Sequence, residues 1–259
     1  MESTQANTLY QALRRSVAKF GKRPAYAVPP MRGRAYYPEG REFTWNETYA
    51  AVQERIRYYR EAGYGRGHRV AILFEQRPEF VFHHLALNAL GCCTVPVSPD
   101  YRHDELAYLL EHSECSVAFA VAERLADLRA AAQALPRPIP VLRFDDLTTP
   151  LPRPLTPARD ATPDADTEAA LLYTSGTTGR PKGCVLTNEY FLYWAQWFLT
   201  RGHTLALEEG VERLYNPLPL HHANALSISL PTMLVAGGCL VFPDRFHAST
   251  FWDDIVNCN

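Results

Sequence analysis

Short segments that are apolar at nearly every position recur along the chain and alternate with helical patterns. The clearest of them lie at residues 70–74, 93–97 and 116–121. A strand that is apolar on both faces must be covered on both faces, and the helical segments between these strands can supply that cover. The pattern therefore predicts an α/β fold built from helix-covered, largely parallel sheets.

A proline-rich segment divides this pattern. Eight of the 20 prolines fall within residues 136–163, a density that forbids helix and favours a stiff, extended connector with one short embedded strand. We predict an N-terminal α/β subdomain over residues 1–135, the connector over 136–163, and the start of a second α/β subdomain over 164–259. The length of 259 residues fits one large domain or slightly more.

The charge balance argues against a nucleic-acid binder. Lysine and arginine total 26 against 28 acidic residues, a net charge of −2, and no basic block supplies the footprint that phosphate neutralisation needs. The six cysteines form no C-x-x-C pair and no spacing typical of a zinc site or a disulfide framework. They are predicted to be reduced and mostly buried, and a cytoplasmic location is expected.

Two segments bear on membrane insertion. Arg14, Arg15 and Lys19 interrupt the apolar pattern of the N-terminus, which excludes the uninterrupted core of a signal peptide. Residues 214–243 carry no lysine, arginine or acidic residue and are long enough to span a bilayer. Their prolines, histidines and paired glycines would leave polar or broken backbone in lipid, so they are predicted to form buried core beside a polar turn, without a transmembrane segment.

Residues 173–183, YTSGTTGRPKG, carry the strongest functional signal. Four hydroxyls, two glycines and one cation are concentrated there: Thr174, Ser175, Thr177 and Thr178, Gly176 and Gly179, and Lys182. Glycine backbone amides and hydroxyl donors can surround several anionic oxygens at once, and an ammonium acts as a movable point charge. The segment therefore predicts a polyphosphate-binding loop between two strands, near residues 168–173 and 184–187.

Other phosphate-binding patterns fit this segment poorly. The second glycine of a Walker loop would fall at Pro181, and a dinucleotide fingerprint would need a glycine two residues before Gly176. A solvated surface turn without function is the alternative for a short cluster of this composition. The match of all eleven residues, 173–183, to a phosphate-binding pattern argues against it. A phosphotransferase that uses the loop on ATP and releases ADP also stays open.

The stretch TSGTTGRPKG resembles the signature phosphate-binding loop of the adenylate-forming superfamily, which includes acyl-CoA synthetases, luciferases and peptide-synthetase adenylation domains. Residues 65–120 and 217–255 resemble the segments that precede and follow that loop in the family. The resemblance covers the chain from about Thr8 and is nearest to the ligases that join carnitine-like or fatty acids to coenzyme A. It implies the N-terminal part of such an enzyme.

The resemblance implies a two-step reaction with MgATP and coenzyme A. A carboxylate attacks the α-phosphorus to give acyl-adenylate and pyrophosphate, and a thiol then displaces AMP. Lys182 and the loop hydroxyls would gather the oxygens of the departing pyrophosphate, where charge grows, so Lys182 is expected to be catalytic. Mg²⁺ would arrive with ATP, and no metal site of the chain's own is expected.

His222 matches the histidine that lies near the carboxylate in the family. A positional role is expected, because an attacking carboxylate has no proton to lose. Asn224 is expected to contact the acyl group, and His221 is the weaker candidate of its pair. A His–His dipeptide by itself is more often structural, and the second such pair, His83–His84, is predicted to pack inside an apolar helix rather than to bind metal.

Members of the family it resembles are longer than this chain. Their motifs that hold Mg²⁺ and the ribose hydroxyls, and their C-terminal domain with its adenylation lysine, have no counterpart here. A sheet that is cut midway exposes an edge, so we expect self-association or pairing with a missing C-terminal half. The isolated chain is expected to be inactive. The alternative is a non-catalytic nucleotide-binding or interaction protein; the acid, and the choice between coenzyme A and a carrier-protein thiol, stay open.

Overall fold

The computed structural model describes residues 6–174, 180–202 and 206–258. The chain divides into two compact units. The first unit consists of Met1–Gln53, Gln76–Leu85 and Glu189–Asn259, and the second consists of Glu54–Glu75 and Ala86–Asn188.

In chain order, the described helices and strands are α1 (Leu9–Phe20), β1 (Pro24–Val28), β2 (Arg41–Thr44), α2 (Trp45–Glu61), β3 (Arg69–Leu73), α3 (Pro78–Leu90), β4 (Cys93–Pro96), α4 (His103–His112), β5 (Val117–Ala120), α5 (Leu125–Gln133), β6 (Val141–Arg143), β7 (Glu168–Thr174), β8 (Lys182–Thr187), α6 (Asn188–Leu199), β9 (Arg213–Tyr215), α7 (Leu230–Ala236), β10 (Cys239–Val241) and α8 (Phe251–Asn257). A 3₁₀ turn (Ala122–Arg124) leads into α5, and a π-helix (Asn224–Ser229) leads into α7.

The first unit contains a four-stranded sheet in the order β2-β1-β10-β9. β1 pairs in parallel with β10 and antiparallel with β2, while β9 pairs in parallel with β10. The core of this unit is aromatic: the fully buried ring of Tyr26 lies within 6.4 Å of the rings of Trp45, Phe82 and Phe242. Aromatic burial of this kind contributes a large share of a small core's stability.

Helix starts in this unit follow the sequence signals. The hydroxyl of Thr8 accepts a hydrogen bond from the amide of Gln11 at 3.1 Å and caps α1, which begins at Leu9. Thr44 and Glu47 form a capping box at the start of α2, with reciprocal hydrogen bonds of 2.8 Å and 3.1 Å. These bonds lower the pKa of the Glu47 carboxyl.

The second unit contains a six-stranded sheet in the order β6-β5-β3-β4-β7-β8. Five strands run parallel and β8 pairs antiparallel with β7. Every residue of β4 and β5 is buried, as the apolar runs predicted. One core cluster joins strand and helix residues such as Val95, Leu109 and Leu128. The helix-covered, largely parallel sheet is therefore confirmed for this unit.

The proline-rich segment lies wholly inside the second unit. It contains the expected short strand, β6, and side chains from earlier in the chain bind its backbone. The hydroxyls of Tyr58 and Tyr64 donate to the carbonyls of Thr149 and Pro152. His68 Nε2 donates to the carbonyl of Thr156 at 2.9 Å. The segment shares its compact unit with the residues that directly precede and follow it. The subdomain boundary at residues 136–163 stays a prediction.

Strands β1 and β2 were not predicted from the sequence. β1 follows α1 after three residues and pairs with β10, more than 200 residues later, so no local pattern identifies it.

Within the described ranges, no helix combines the length and the apolar character needed to cross a membrane.

Candidate functional site

The two strands that flank the hydroxyl-rich segment form an antiparallel hairpin. Thr174, the last residue of β7, is the register partner of Lys182, the first residue of β8, and Tyr173 is the partner of Gly183. The side chains of Thr174 and Lys182 are exposed. The structure thus brings these two predicted residues side by side at one end of the sheet. Five others fall outside the described residues: Ser175, Gly176, Thr177, Thr178 and Gly179.

The location of this pair is favourable for ligand binding. β7 is parallel to its neighbour β4, and Thr174 stands at its carboxyl end. In open α/β sheets, ligands bind outside the carboxyl ends of the strands. An exposed ammonium and a hydroxyl at this edge can contact an anionic ligand without burying an unpaired charge.

Helix α4 contacts the residues next to this pair. The hydroxyl of Tyr108 donates to the carbonyl of Pro181 at 2.9 Å, and Nδ1 of His112 lies 2.8 Å from the hydroxyl of Tyr173. Burial raises the pKa of the Tyr173 phenol, which therefore keeps its proton at neutral pH. Tyr108 and His112 were not predicted from the sequence, although their spacing of four residues on a predicted helix places both on one face.

The second group of predicted residues lies in a turn after β9. His222 is exposed and His221 is half-buried, with ring centroids 4.4 Å apart. The amide of His222 donates to the carbonyl of Pro219 at 3.0 Å, and its own carbonyl accepts from the amide of Leu226 at 3.1 Å. This backbone leads directly into the π-helix, a rare conformation that occurs frequently at functional sites.

A buried amide network shapes this turn. Asn216 is 6% exposed; its Nδ2 donates to Ser229 Oγ at 2.5 Å, and its Oδ1 accepts from the amide of Leu218 at 2.8 Å. Its carbonyl accepts from Gln76 Nε2 at 3.1 Å. Asn224, the predicted acyl contact, is exposed and its Oδ1 lies 3.4 Å from Asn216 Nδ2. Asn216 and Gln76 were not predicted from the sequence as supports of this turn.

The predicted site residues therefore form two groups. Thr174 and Lys182 belong to the second compact unit, and His222 and Asn224 belong to the first. Each group sits at the surface of its own unit, on backbone fixed by hydrogen bonds. Over the described ranges, no three His, Cys, Asp or Glu side chains gather closely enough to hold a metal ion.

Comparison with known proteins gives a consistent match. A sulfoacetate–CoA ligase of Cupriavidus necator is 34% identical over 76% of this chain and 39% of its own length. A probable CoA ligase of Humulus lupulus is 29% identical over 97% of this chain and 47% of its own length. The chain thus spans less than half the length of these curated relatives, and it aligns with their N-terminal part.

Solved structures share the fold. The N-terminal domain of FACL13 from Mycobacterium tuberculosis superposes with a TM-score of 0.78 at 23% identity, covering 97% of this chain and 61% of that one. An O-succinylbenzoate CoA synthetase from Bacillus subtilis, solved with ATP and magnesium, gives 0.75 at 22% identity, covering 95% and 60%. Residues 13–259 match the AMP-binding enzyme family. The chain therefore belongs to the AMP-binding enzyme family.

Proposed function

We propose that this chain takes part in the ATP-dependent activation of a carboxylic acid. In the proposed reaction, a carboxylate oxygen bonds to the α-phosphorus of ATP, the bond from that phosphorus to pyrophosphate breaks, and an acyl-adenylate forms. The sulfur of a thiol then bonds to the acyl carbon and AMP leaves. Coenzyme A is the proposed thiol, Mg²⁺ accompanies ATP, and the proposed location is the cytoplasm, in keeping with six free cysteines.

The single observation that carries this proposal is the pairing of Thr174 with Lys182 at the ends of the hydroxyl-rich segment. Negative charge grows on pyrophosphate as it departs, so a cation and hydroxyl donors held at that point stabilise the transition state more than the ground state. Their position at a strand end keeps their side chains exposed, and the hairpin register places them opposite each other. The relatives' names, which are those of CoA ligases, support the same reaction.

The proposed roles of the other residues follow the same scheme. Ser175, Gly176, Thr177, Thr178 and Gly179 would complete the phosphate-binding loop. His222 would position the carboxylate and the adenylate, and Asn224 would contact the acyl group. Because the chain spans less than half of its curated relatives, we propose that it binds MgATP but needs further residues for turnover, from a C-terminal half or a partner.

Binding of MgATP to the 259-residue chain tests the proposal. Equilibrium dialysis with labelled ATP should detect binding, and Lys182→Ala should weaken it by about tenfold to a hundredfold, the loss expected for a charge-assisted contact. Lys22→Ala removes another exposed lysine, in the first unit, and serves as the matched control. Equal affinity of Lys182→Ala and the control, or no binding by the wild type, would contradict the proposal.

A pyrophosphate-exchange assay and identification of the nucleotide that is released separate the remaining alternatives. With a panel of carboxylic acids, we expect no exchange by this chain alone. Brisk exchange would show that the chain is already a complete adenylating enzyme. Release of ADP instead of AMP would identify a phosphotransferase, and nucleotide binding that Lys182→Ala leaves intact would favour an interaction protein without ligase chemistry.

A further inference from the structure

The start of strand β8 needs support beyond the sheet. β8 is an edge strand, and β7 is its one strand neighbour in the described part of the sheet. Lys182 is the first residue of β8, where backbone hydrogen bonds are most easily lost to fraying. The position of its ammonium relative to Thr174 therefore depends on whatever else holds the chain just before it.

Tyr108 supplies such a contact. Its hydroxyl donates to the carbonyl of Pro181 at 2.9 Å, directly before Lys182 and 73 residues away in sequence. The guanidinium of Arg180 lies over the same ring, 5.1 Å from its centroid. Helix α4 thus holds the two residues that enter β8, one through its backbone and the other through a cation–π contact.

His112 makes the corresponding contact to the other strand. Its Nδ1 lies 2.8 Å from the hydroxyl of Tyr173, which is the residue that precedes Thr174 in sequence. The three rings also touch one another: the centroid of Tyr108 lies 5.3 Å from that of His112 and 6.5 Å from that of Tyr173. We call Tyr108, His112 and Tyr173 the ring cluster. It includes Tyr173, the residue before Thr174, and it contacts Pro181, the residue before Lys182.

Gly183 completes the arrangement. It stands opposite Tyr173 in the hairpin register, and a Cβ at this position would lie 3.4 Å from Tyr173 Cζ and 3.0 Å from Leu171 Cδ1. The glycine therefore leaves room for the Tyr173 ring to lie across the strand. An aromatic ring over a glycine in the neighbouring strand also compensates for the side chain that glycine lacks.

We propose that Tyr108 and His112 are positioning residues that hold Lys182 beside Thr174 for phosphate binding. This inference rests on the proposed function and adds two residues of α4 to it. They do not reach the phosphates themselves; they restrict the motion of the strand ends that carry the binding groups. Affinity rises when binding groups are held in place beforehand, because less conformational entropy is lost when the ligand binds.

Tyr108→Phe tests the first contact, and the chain offers a matched control. Tyr58, like Tyr108, is half-buried and donates its hydroxyl to a backbone carbonyl at 2.9 Å, that of Thr149. Tyr58→Phe therefore removes a bond of the same type from another contact in the same unit. We expect Tyr108→Phe to weaken MgATP binding by about threefold to tenfold, and Tyr58→Phe by less than about twofold.

Hydrogen–deuterium exchange of the free chain gives a second, ligand-independent measurement. Amides in a peptide covering residues 180–187 should exchange about threefold to tenfold faster in Tyr108→Phe, with no change in Tyr58→Phe. If the wild type binds no MgATP, the proposed function fails, and this measurement still decides whether α4 holds β8. Unchanged exchange at residues 180–187 in Tyr108→Phe, or equal effects of both variants, would overturn the inference.

His112 tests the second contact through rescue. Asn can supply either a donor or an acceptor near the position of Nδ1, whereas Leu supplies neither. His112→Leu should weaken MgATP binding about threefold and His112→Asn should restore most of that loss. The Leu variant should also add nothing to Tyr173→Phe, because both remove one shared bond. Additive effects, or an Asn variant as weak as the Leu variant, would contradict the role given to His112.

Discussion

The chain carries two histidine pairs, and the structure gives them opposite surroundings. His83 and His84 lie on α3 with fully buried side chains, and the His84 ring packs between Phe80 and Phe191, with centroids 6.3 Å and 5.8 Å away. His221 is half-buried and His222 is exposed in the turn after β9. The dipeptide is the same, so its neighbours determine its role: an apolar helix buries one pair, and a proline-rich turn presents the other.

Burial determines how much free energy is needed to charge a histidine. Charging a buried imidazole costs desolvation free energy, so it stays in the core as the neutral form. An exposed imidazole can exchange protons and contact ligands with little loss of hydration. The prediction that His83–His84 pack inside the fold is confirmed by their burial. The role of His222 stays a proposal, and three measurements can break or sharpen the contrast between the pairs.

The largest expected effect is the acid sensitivity that His84 causes. Burial lowers its pKa to about 4, while an unfolded histidine titrates near 6.5. Between these values the unfolded chain binds a proton that the native chain does not, so the free energy of unfolding falls as the pH falls from about 6.5 towards 4. We expect wild type to lose about 2 kcal/mol more than His84→Leu between pH 7 and pH 4.5 in urea unfolding.

An exposed histidine provides the control for that measurement. His103→Leu makes the same substitution at a side chain that is 53% exposed and serves as the matched variant. If His84→Leu and His103→Leu lost the same stability on acidification as wild type, His84 would have to charge within the fold, and the contrast between the two pairs would be wrong.

The second effect concerns the support of the exposed pair. Asn216→Ala removes the donor to the buried Ser229 Oγ and the acceptor of the Leu218 amide. We expect a loss of about 1 to 3 kcal/mol in the free energy of unfolding. Asn224→Ala removes an exposed amide of the same turn and should change the free energy of unfolding by less than about 0.5 kcal/mol. Equal losses would show that Asn216 does not hold the turn.

The sequence could predict those features whose signal lies within one short segment of the chain. Thr174 and Lys182 could be predicted as site residues because the hydroxyl-rich segment is contiguous in sequence, and the flanking strands were evident from their apolar runs. Their register then follows from the hairpin. The buried strands β4 and β5 of the second unit were predicted for a similar reason: each is apolar at nearly every position, which requires cover on both faces.

The supporting residues could not be predicted, because they act across long separations. Gln76 binds the carbonyl of Asn216, 140 residues later, and Tyr108 binds that of Pro181. A single polar residue in a helix or loop has no local signal for such a partner. The discontinuous first unit was unpredictable for the same reason, since β1 pairs with β10, more than 200 residues later in the chain.

The smallest expected change in stability belongs to His222. Because its side chain is exposed, His222→Ala should alter the free energy of unfolding by less than about 0.5 kcal/mol. Its proposed position beside the carboxylate predicts a different readout: affinity for a non-hydrolysable acyl-adenylate analogue should fall about threefold to tenfold, while affinity for MgATP stays the same. Isothermal titration calorimetry measures both affinities on one preparation.

His221→Ala is the matched control for that titration, because it removes the neighbouring ring, 4.4 Å away, from the same turn. A loss of analogue binding in His222→Ala alone would assign the contact to one member of the pair. A loss in His221→Ala alone would reverse the assignment. If neither variant changed analogue binding, the exposed pair would differ from the buried pair only in its solvent exposure, and its match to the family's histidine would carry no function in this chain.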